Sequence, residues 1–432
     1  MFHNGKLKEI NKWVVCFSAL FFSLVLCVVL NVYQSGAVPT KMIKDGAPKG
    51  IARIDIYLNN VSLEDINGNN QQIKYADNSL MLNVDNKRRL FEKVEIKGHG
   101  NRSWEMEKKS YRIKFNEKVD LLGMGKAKKW VLIANILDDS LLRNDLGFFL
   151  NRMIVDDSPM FGDYVELYVN GEELGLYYAT KSIDIDKKMF PLKDPFGVIV
   201  EYDNAYGEDE EIKYKTKDNG VLTVKDAVYD SNAEKALELF GSDFDKFEEL
   251  AESHDYEAIE EIIDVESFAN YFLLSEISGN PDAYLTSMYF YKDGVDDKIH
   301  AGIGWDFDGA FGNKNWDDWD PGKLMAKRKL AFSKDTLVSR FYYYLIEIPE
   351  FQILVSDIYR AKIYGRTDDI VAYIDMRAER IEEKAILDNY KWEKGDFWED
   401  VDWLKWWVKE RLRIYDSVYG GDVLLPVKNC ET

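Results

Sequence analysis

From Ile51 onward, apolar and polar residues alternate in short runs. RIDIYL (53–58), KVEIKG (93–98) and SYRIKF (110–115) each repeat with period two, the signature of a strand with one buried face. KKWVLIAN (128–135) is continuously apolar at its centre and predicts a buried strand. The next stretch, DDSLLRNDLGFFLNRMI (138–154), changes to helical spacing, with Asp139 or Ser140 as the N-cap. DYVELYVNGEELGLYYAT (163–180) predicts a hairpin around Asn170-Gly171, a strong two-residue turn signal. Residues 204–266 are acidic and mostly helical in pattern, as in AEKALELFG and FEELAES, and predict solvated helix faces. A second hairpin follows: a strand from about Ser287 to Lys292, a polar turn at DGVDD, and a strand from about Lys298 onward. Beyond Gly312 the pattern is helical and rich in Trp. The chain thus divides into a β-rich N-terminal part and a helical C-terminal part.

Ahead of this pattern, residues 14–33 form an apolar run of bilayer-spanning length without a charge. The run is longer than the apolar core of a signal peptide and no small-x-small cleavage site follows, so an uncleaved anchor is expected. Lys6, Lys8 and Lys12 precede it, whereas Lys41 and Lys44 follow. That bias of one lysine leans towards a cytoplasmic N-terminus and a main domain outside the cytoplasm. The expected organisation is a tail at 1–13, an anchor at 14–33, a Gly/Pro-bearing linker at 34–50, a catalytic-type domain at 51–313, and a helical Trp-rich extension at 314–432 packed on that domain.

Charge narrows the partners. With a formal net charge of −21 over 432 residues, the surface repels nucleic acid; basic segments, or anions presented through a divalent cation, are the easier ligands. No cysteine stands between residues 28 and 429, which excludes a disulfide framework and a cysteine metal site there.

The candidate chemistry lies at NPDAYLTSMYFYKDGVDDKIHAGIGWDFDGAFG (280–312). Asp282 and Asp308 are equidistant from the turn of the second hairpin, so they meet at its open end. Asp306 shares a face with Asp308 if the strand persists that far. Three converging carboxylates repel unless a cation neutralises them, and Mg²⁺ accepts such ligands together with phosphate oxygens. Taken singly, each aspartate reads more simply as a turn or helix cap. A calcium loop of EF-hand type fits poorly, because counting from Asp306 puts Phe311 at its glycine position and Asp317 at its bidentate one.

Upstream, GHGNRSW (98–104) offers Gly98 and Gly100 for a phosphate-binding nest. The following strand sets Arg112 and Lys114 on one face. A glycine loop followed by a strand lysine is the order used over ATP phosphates in protein kinases, although no P-loop, HRD or DFG motif is present.

In their order, GHGNRSW, KKSYRIKF, WVLIANILDDSLLRNDLGFFL, DYVELYVNGEELGLYYAT, GNPDAY and GWDFDGAFG resemble the spore-coat protein H (CotH) kinase family, over roughly Ile51 to Asn313. The resemblance implies an α+β, atypical protein-kinase-like fold binding ATP with Mg²⁺ or Mn²⁺, and transfer to serine in basic segments of a coat or surface protein. It implies Asp282 as the residue accepting the hydroxyl proton, and Asp306 and Asp308 as metal ligands in WDFD. Gly98, Gly100, Asn101, Ser103, Trp305 and the Arg143-Asn144 pair are implied near the nucleotide, with Lys109 or Lys114 on phosphate. Two positions depart from the family. Ser287 stands where a metal-binding Asn is usual, and Lys181 stands where an acidic residue is usual. A weak or inactive scaffold binding a wall, coat or matrix polymer is therefore the alternative. Its surface would come from YKWEKGDFWEDVDWLKWW (390–407), although Trp403 and Trp407, four apart, share a helix face suited to core packing.

Overall fold

A computed structural model describes residues 50–316, 320–327 and 339–420. The apolar run at 14–33 and the linker up to residue 49 lie outside the described residues. Within the described residues, no helix is long and apolar enough to cross a membrane.

Seven strands form a closed barrel: β1 (Ala52–Tyr57), β2 (Tyr75–Val84), β3 (Lys87–His99), β4 (Ser110–Val119), β5 (Ala127–Ile133), β6 (Gly162–Val169) and β7 (Glu172–Lys181). The order is β1-β2-β3-β4-β5-β7-β6, closed by a parallel pairing of β1 with β6 in which Ile54 faces Leu167. Closure leaves no open edge. The inward set of the alternating pattern, including Ile54, Leu82, Ile96, Ile113, Trp130, Leu132 and Val165, fills the interior. Asn170 (φ 50°) and Gly171 (φ 87°) make the β6–β7 turn, the left-handed pair a two-residue hairpin requires. A short helix α1 (Leu63–Gly68), closed by a Ser62/Asp65 capping box, crosses between β1 and β2.

A second sheet follows, in the order β12-β11-β8-β10-β9: β8 (Val198–Tyr202), β9 (Lys213–Lys215), β10 (Val221–Ala227), β11 (Met288–Lys292) and β12 (His300–Ala301). In chain order α2 (Arg143–Ile154) runs between β5 and β6. The remaining helices are α3 (Ala233–Ser253), α4 (Tyr256–Ile262), α5 (Val265–Ser278), α6 (Phe341–Leu345), α7 (Pro349–Lys362), α8 (Thr367–Lys391) and α9 (Phe397–Tyr419). Phe244, Phe247, Phe268, Phe290 and Phe341 pack edge to face or tilted where α3, α5, β11 and α6 meet.

Three sequence expectations change. Helix α2 begins at Arg143, not beside Asp139 or Ser140. Asp138 supplies the missing acceptor, taking the Arg143 amide at 2.8 Å and the Ser140 amide at 3.1 Å. The acidic region 204–266 contains β9 and β10 before its helices start. The strand expected from Lys298 onward ends at Ala301.

Helices α8 and α9 are tied to the body by buried charge. Lys108 and Asp388 pair at 2.8 Å with both side chains fully buried. Arg143 meets Asp400 of α9, and Arg411 of α9 donates to the Glu276 carbonyl at the end of α5. Trp407 is buried against Phe311 and lies directly over Gly279 and Gly312.

Candidate active site

Helix α5 stops at Gly279, left-handed at φ 54°, and the chain turns through Asn280-Pro281-Asp282 towards β11. Asn280 holds this turn to the second acidic segment: its Oδ1 accepts the Asp282 amide at 3.0 Å, and its Nδ2 donates to the Asp306 carbonyl at 3.0 Å. On the far side Asn144 accepts the Phe307 amide at 2.9 Å, Arg143 Nε donates to the Ala310 carbonyl at 3.0 Å, and Asn313 Nδ2 donates to the Asp308 carbonyl at 2.6 Å. The outcome is a cluster in which carboxylate oxygens of Asp282, Asp306 and Asp308 all lie within 4.8 Å of one another.

The hairpin brings these residues together, but by a different path from an extended strand. Phe290 faces Ala301 and Tyr291 faces His300, so the symmetry axis does run through the turn. After Ala301 the backbone leaves the ladder, and Asp306 adopts φ 61°. Tyr284, Ser287 and Phe311 are also left-handed, at φ 68°, 53° and 51°. For bulky Tyr and Phe this is costly, and such residues persist where surrounding contacts over-determine them.

Electrostatics set the cluster apart. Burial, reinforced by Asp306, Asp282 and Asp138, holds the Asp308 carboxyl well above the ordinary carboxylate range. Burial also raises Asp306, with Glu201 adding to it, while the Ser287 hydroxyl donates to Asp306 and opposes the rise. The donors are all carboxylate oxygens, a set that suits Mg²⁺ or Mn²⁺ better than zinc.

One cation of the second sheet, Lys225, acts on this cluster, and cations of the barrel stand beside it. Lys225 of β10 pairs with Glu201 of β8 at 2.8 Å, and its charge acts on Asp306. Arg112 of β4 stands 3.4 Å from His99. Lys97 of β3 is pulled down to about 8, first by burial and then by Arg112, Lys74 and Lys225. Burial and the same cations hold His99 well below its usual value, so it is neutral at pH 7. None of Lys97, His99, Lys225 and Glu201 was singled out from the sequence. Arg112 was noted only as sharing a strand face with Lys114.

Several residues expected near nucleotide are engaged elsewhere. Gly98 is a strand residue opposite Tyr111, where a side chain would strike Trp104 and Gln71. Gly100 (φ 94°) makes the turn, but the Ser103 hydroxyl folds over it, and Asn101 precedes a single helical turn anchored by buried Trp104. The open nest expected there is filled by the loop's own side chains. Arg102 of this loop does reach across, its guanidinium 5.1 Å from the ring of Trp316, which abuts Gly309. Lys109 donates to the Trp104 and Met106 carbonyls, and Lys114 is exposed opposite Glu95 and Lys129. Trp305 is packed between His99 and Phe148. Arg143 and Asn144 are buried and hold the 306–310 loop, so they act as positioning residues.

A family model described as "CotH kinase protein" matches residues 94–415. The match starts later than the motif-based resemblance and extends about a hundred residues further, taking in α8 and most of α9. Among solved structures, the Helicobacter pylori proinflammatory kinase CtkA aligns over 66% of this chain and 94% of that one, at 9% identity and a TM-score of 0.25. A score that low supports no argument. No curated protein matches this chain.

Proposed function

Because the chain belongs to the CotH kinase family, we propose that it is an atypical kinase that moves the terminal phosphoryl group of ATP to a protein hydroxyl, with Mg²⁺ or Mn²⁺. The observation that carries this reading is the convergence of Asp282, Asp306 and Asp308 from two separate loops onto one half-buried spot. Uncompensated, such a cluster destabilises the fold, so its retention is accounted for by a ligand that brings positive charge. The divalent ion would supply charge neutralisation for the phosphate oxygens. Asp306 and Asp308 would hold it, and Ser287 would orient Asp306 through its hydroxyl. Asp282, on the opposite loop, would accept the proton of the attacking hydroxyl. Lys225 from the second sheet, with Arg112 and Lys97 from the barrel, would meet the phosphate oxygens; positioning and charge stabilisation supply most of the catalysis in such transfers.

The acceptor is proposed to be serine in a basic segment of a coat or surface protein, a partner that the overall acidity of the chain attracts. A tether through residues 14–33, with the catalytic part outside the cytoplasm, is part of the same reading. The test is transfer of label from ATP to a basic serine-containing protein, with Mn²⁺ or Mg²⁺, for wild type beside Asp282→Ala. Transfer by wild type alone is expected, with Asp282→Ala lowered by about a thousandfold or more. Equal transfer by both variants would remove Asp282 from the mechanism. Retained ATP binding without transfer to any hydroxyl acceptor would turn the reading to a binding scaffold.

A further inference from the structure

Away from the carboxylate cluster, a cavity of about 160 Å³ opens where the end of β4, the start of β5 and the segment leaving β7 come together. It shares no lining residue with Asp282, Asp306 or Asp308. Five lysines line it: Lys118, Lys128, Lys129, Lys181 and Lys188. Asp186 pairs with Lys118, and Asp184 pairs with Lys129 at 2.6 Å. Five ammoniums against two carboxylates leave a formal charge of +3, on a chain whose total is −21.

Chance placement of surface lysines does not give this arrangement. Lys181 is buried at the end of β7, and its ammonium reaches to 3.1 Å from the point where a side chain on Gly125 would begin. Gly125 is left-handed at φ 87°, and that bare turn is what leaves room for the lysine. The two aspartates fix Lys129 and Lys118 against the walls. Lys128 and Lys188 are exposed at the rim and have no ion-pair partner among the described residues. Ala127, Pro159, Ile185 and Met189 complete the lining with apolar surface. Lysine ammoniums are compact point charges with three donors each, and several of them converging on one cavity suit the oxygens of a phosphate. The apolar wall suits the carbon atoms that carry such a phosphate.

We propose that this cavity is a recognition site for a phosphate monoester, next to the proposed transfer site but sharing no lining residue with it. Its ligand is a phosphorylated side chain or a free small phosphate ester, and the two sources are separated by experiment. The assignment stands independently of the kinase reading, because it is tested by binding alone.

The probe is a fluorescent phosphoserine peptide, titrated with the full chain and followed by anisotropy. Its unphosphorylated twin, the same peptide with Glu in place of phosphoserine, inorganic phosphate and ATP serve as comparison ligands. The pair Lys128→Glu/Lys188→Glu changes only exposed side chains and should leave folding intact. Lys181→Met is the deeper variant and alters a buried position, so the rim pair keeps the test decisive. The expected result is binding of the phosphopeptide well above both the unphosphorylated and Glu peptides, weakened at least about tenfold by the rim pair. ATP binding with Mn²⁺ is expected to be unchanged in that pair. Competition by inorganic phosphate at the affinity of the peptide would identify the small phosphate as the ligand and support the site. Equal binding of all three peptides, insensitivity to the rim pair, or parallel loss of ATP binding would each overturn the assignment.

Discussion

Asp308 is half-buried beside Asp306, Asp282 and Asp138, and each neighbouring carboxylate makes its ionisation harder. Asp308→Asn removes one charge and keeps the shape, so the protein without metal is expected to gain about 1 to 2 kcal/mol of stability. A thermal melt in EDTA reads this; a lower midpoint for the variant would mean that Asp308 is a structural acceptor. This is the trade expected of a functional residue, in which stability is given up for a charge arrangement that only a ligand relieves. Its companions Asn280, Asn144 and Arg143 do the opposite work. Each is a polar group whose hydrogen bonds are made inside the protein, and together they fix the backbone from which the carboxylates project.

At the scale of elements, α2 meets the acidic loop at Gly147, where an added Cβ would lie 2.3 Å from the ring of Phe307. Phe307 sits between Asp306 and Asp308, so Gly147→Ala is expected to push both ligands out of register. The variant should lose about 1 to 3 kcal/mol and at the same time lose the stabilisation that Mn²⁺-ATP confers. A variant that is less stable but keeps that increment would show that the loop moves as a unit. Helix α3 offers a pH prediction away from the site. Glu248 is pushed up to about 7, chiefly by burial, while Thr216 and the Asp218 amide donate to it. Its folded value is above the unfolded one, so its contribution is fully present below about 4.5 and is lost as pH rises through 7. Glu248→Gln should therefore melt at an increasingly higher temperature than wild type between pH 5 and pH 8; a constant difference across that range would contradict this.

Much at this scale could be read from the sequence, and what could not has a physical reason. The alternation of Ile54, Ile56, Ile96 and Ile113 showed three of the barrel strands, the apolar run around Leu132 a fourth, and Asn170-Gly171 the last hairpin, because these signals are local; the strand at Tyr75–Val84 was not read. The midpoint argument for Asp282 and Asp308 also held, since Phe290 does pair with Ala301. The path from Gly302 to Asp308 was not legible. It is held by Asn144 and Arg143, more than 150 residues away, and such contacts leave no periodicity. The basic residues facing the cluster were hidden for the same reason: Lys97, Arg112 and Lys225 come from three strands and are cationic residues of ordinary appearance in each.

Over the whole molecule, the C-terminal helices are part of the body that carries the aspartate cluster. Asp388 of α8 accepts from Lys108 and from the Leu176 amide, both at 2.8 Å, in a spot without solvent. Asp388→Ala would leave a buried ammonium without its carboxylate partner, and a loss of about 3 to 5 kcal/mol is expected in denaturant unfolding. A loss under about 1 kcal/mol would show that Lys108 sheds its proton, which its value near 8 brings within reach. Arg411 and Trp407 hold the end of α5 and the Gly312 turn, so α9 braces both loops that carry the aspartates. In contrast, Trp406 is 43% exposed and stacks on Trp403 at the surface.

The measurement that bears most directly on the central claim is calorimetric titration of ATP into wild type and into the double variant Asp306→Asn/Asp308→Asn, each with Mn²⁺ and with EDTA. The account predicts binding by wild type that depends on Mn²⁺, and loss of that dependence in the double variant with its fold intact. ATP binding of equal strength with and without Mn²⁺ in wild type would contradict a metal-dependent transfer site at these aspartates.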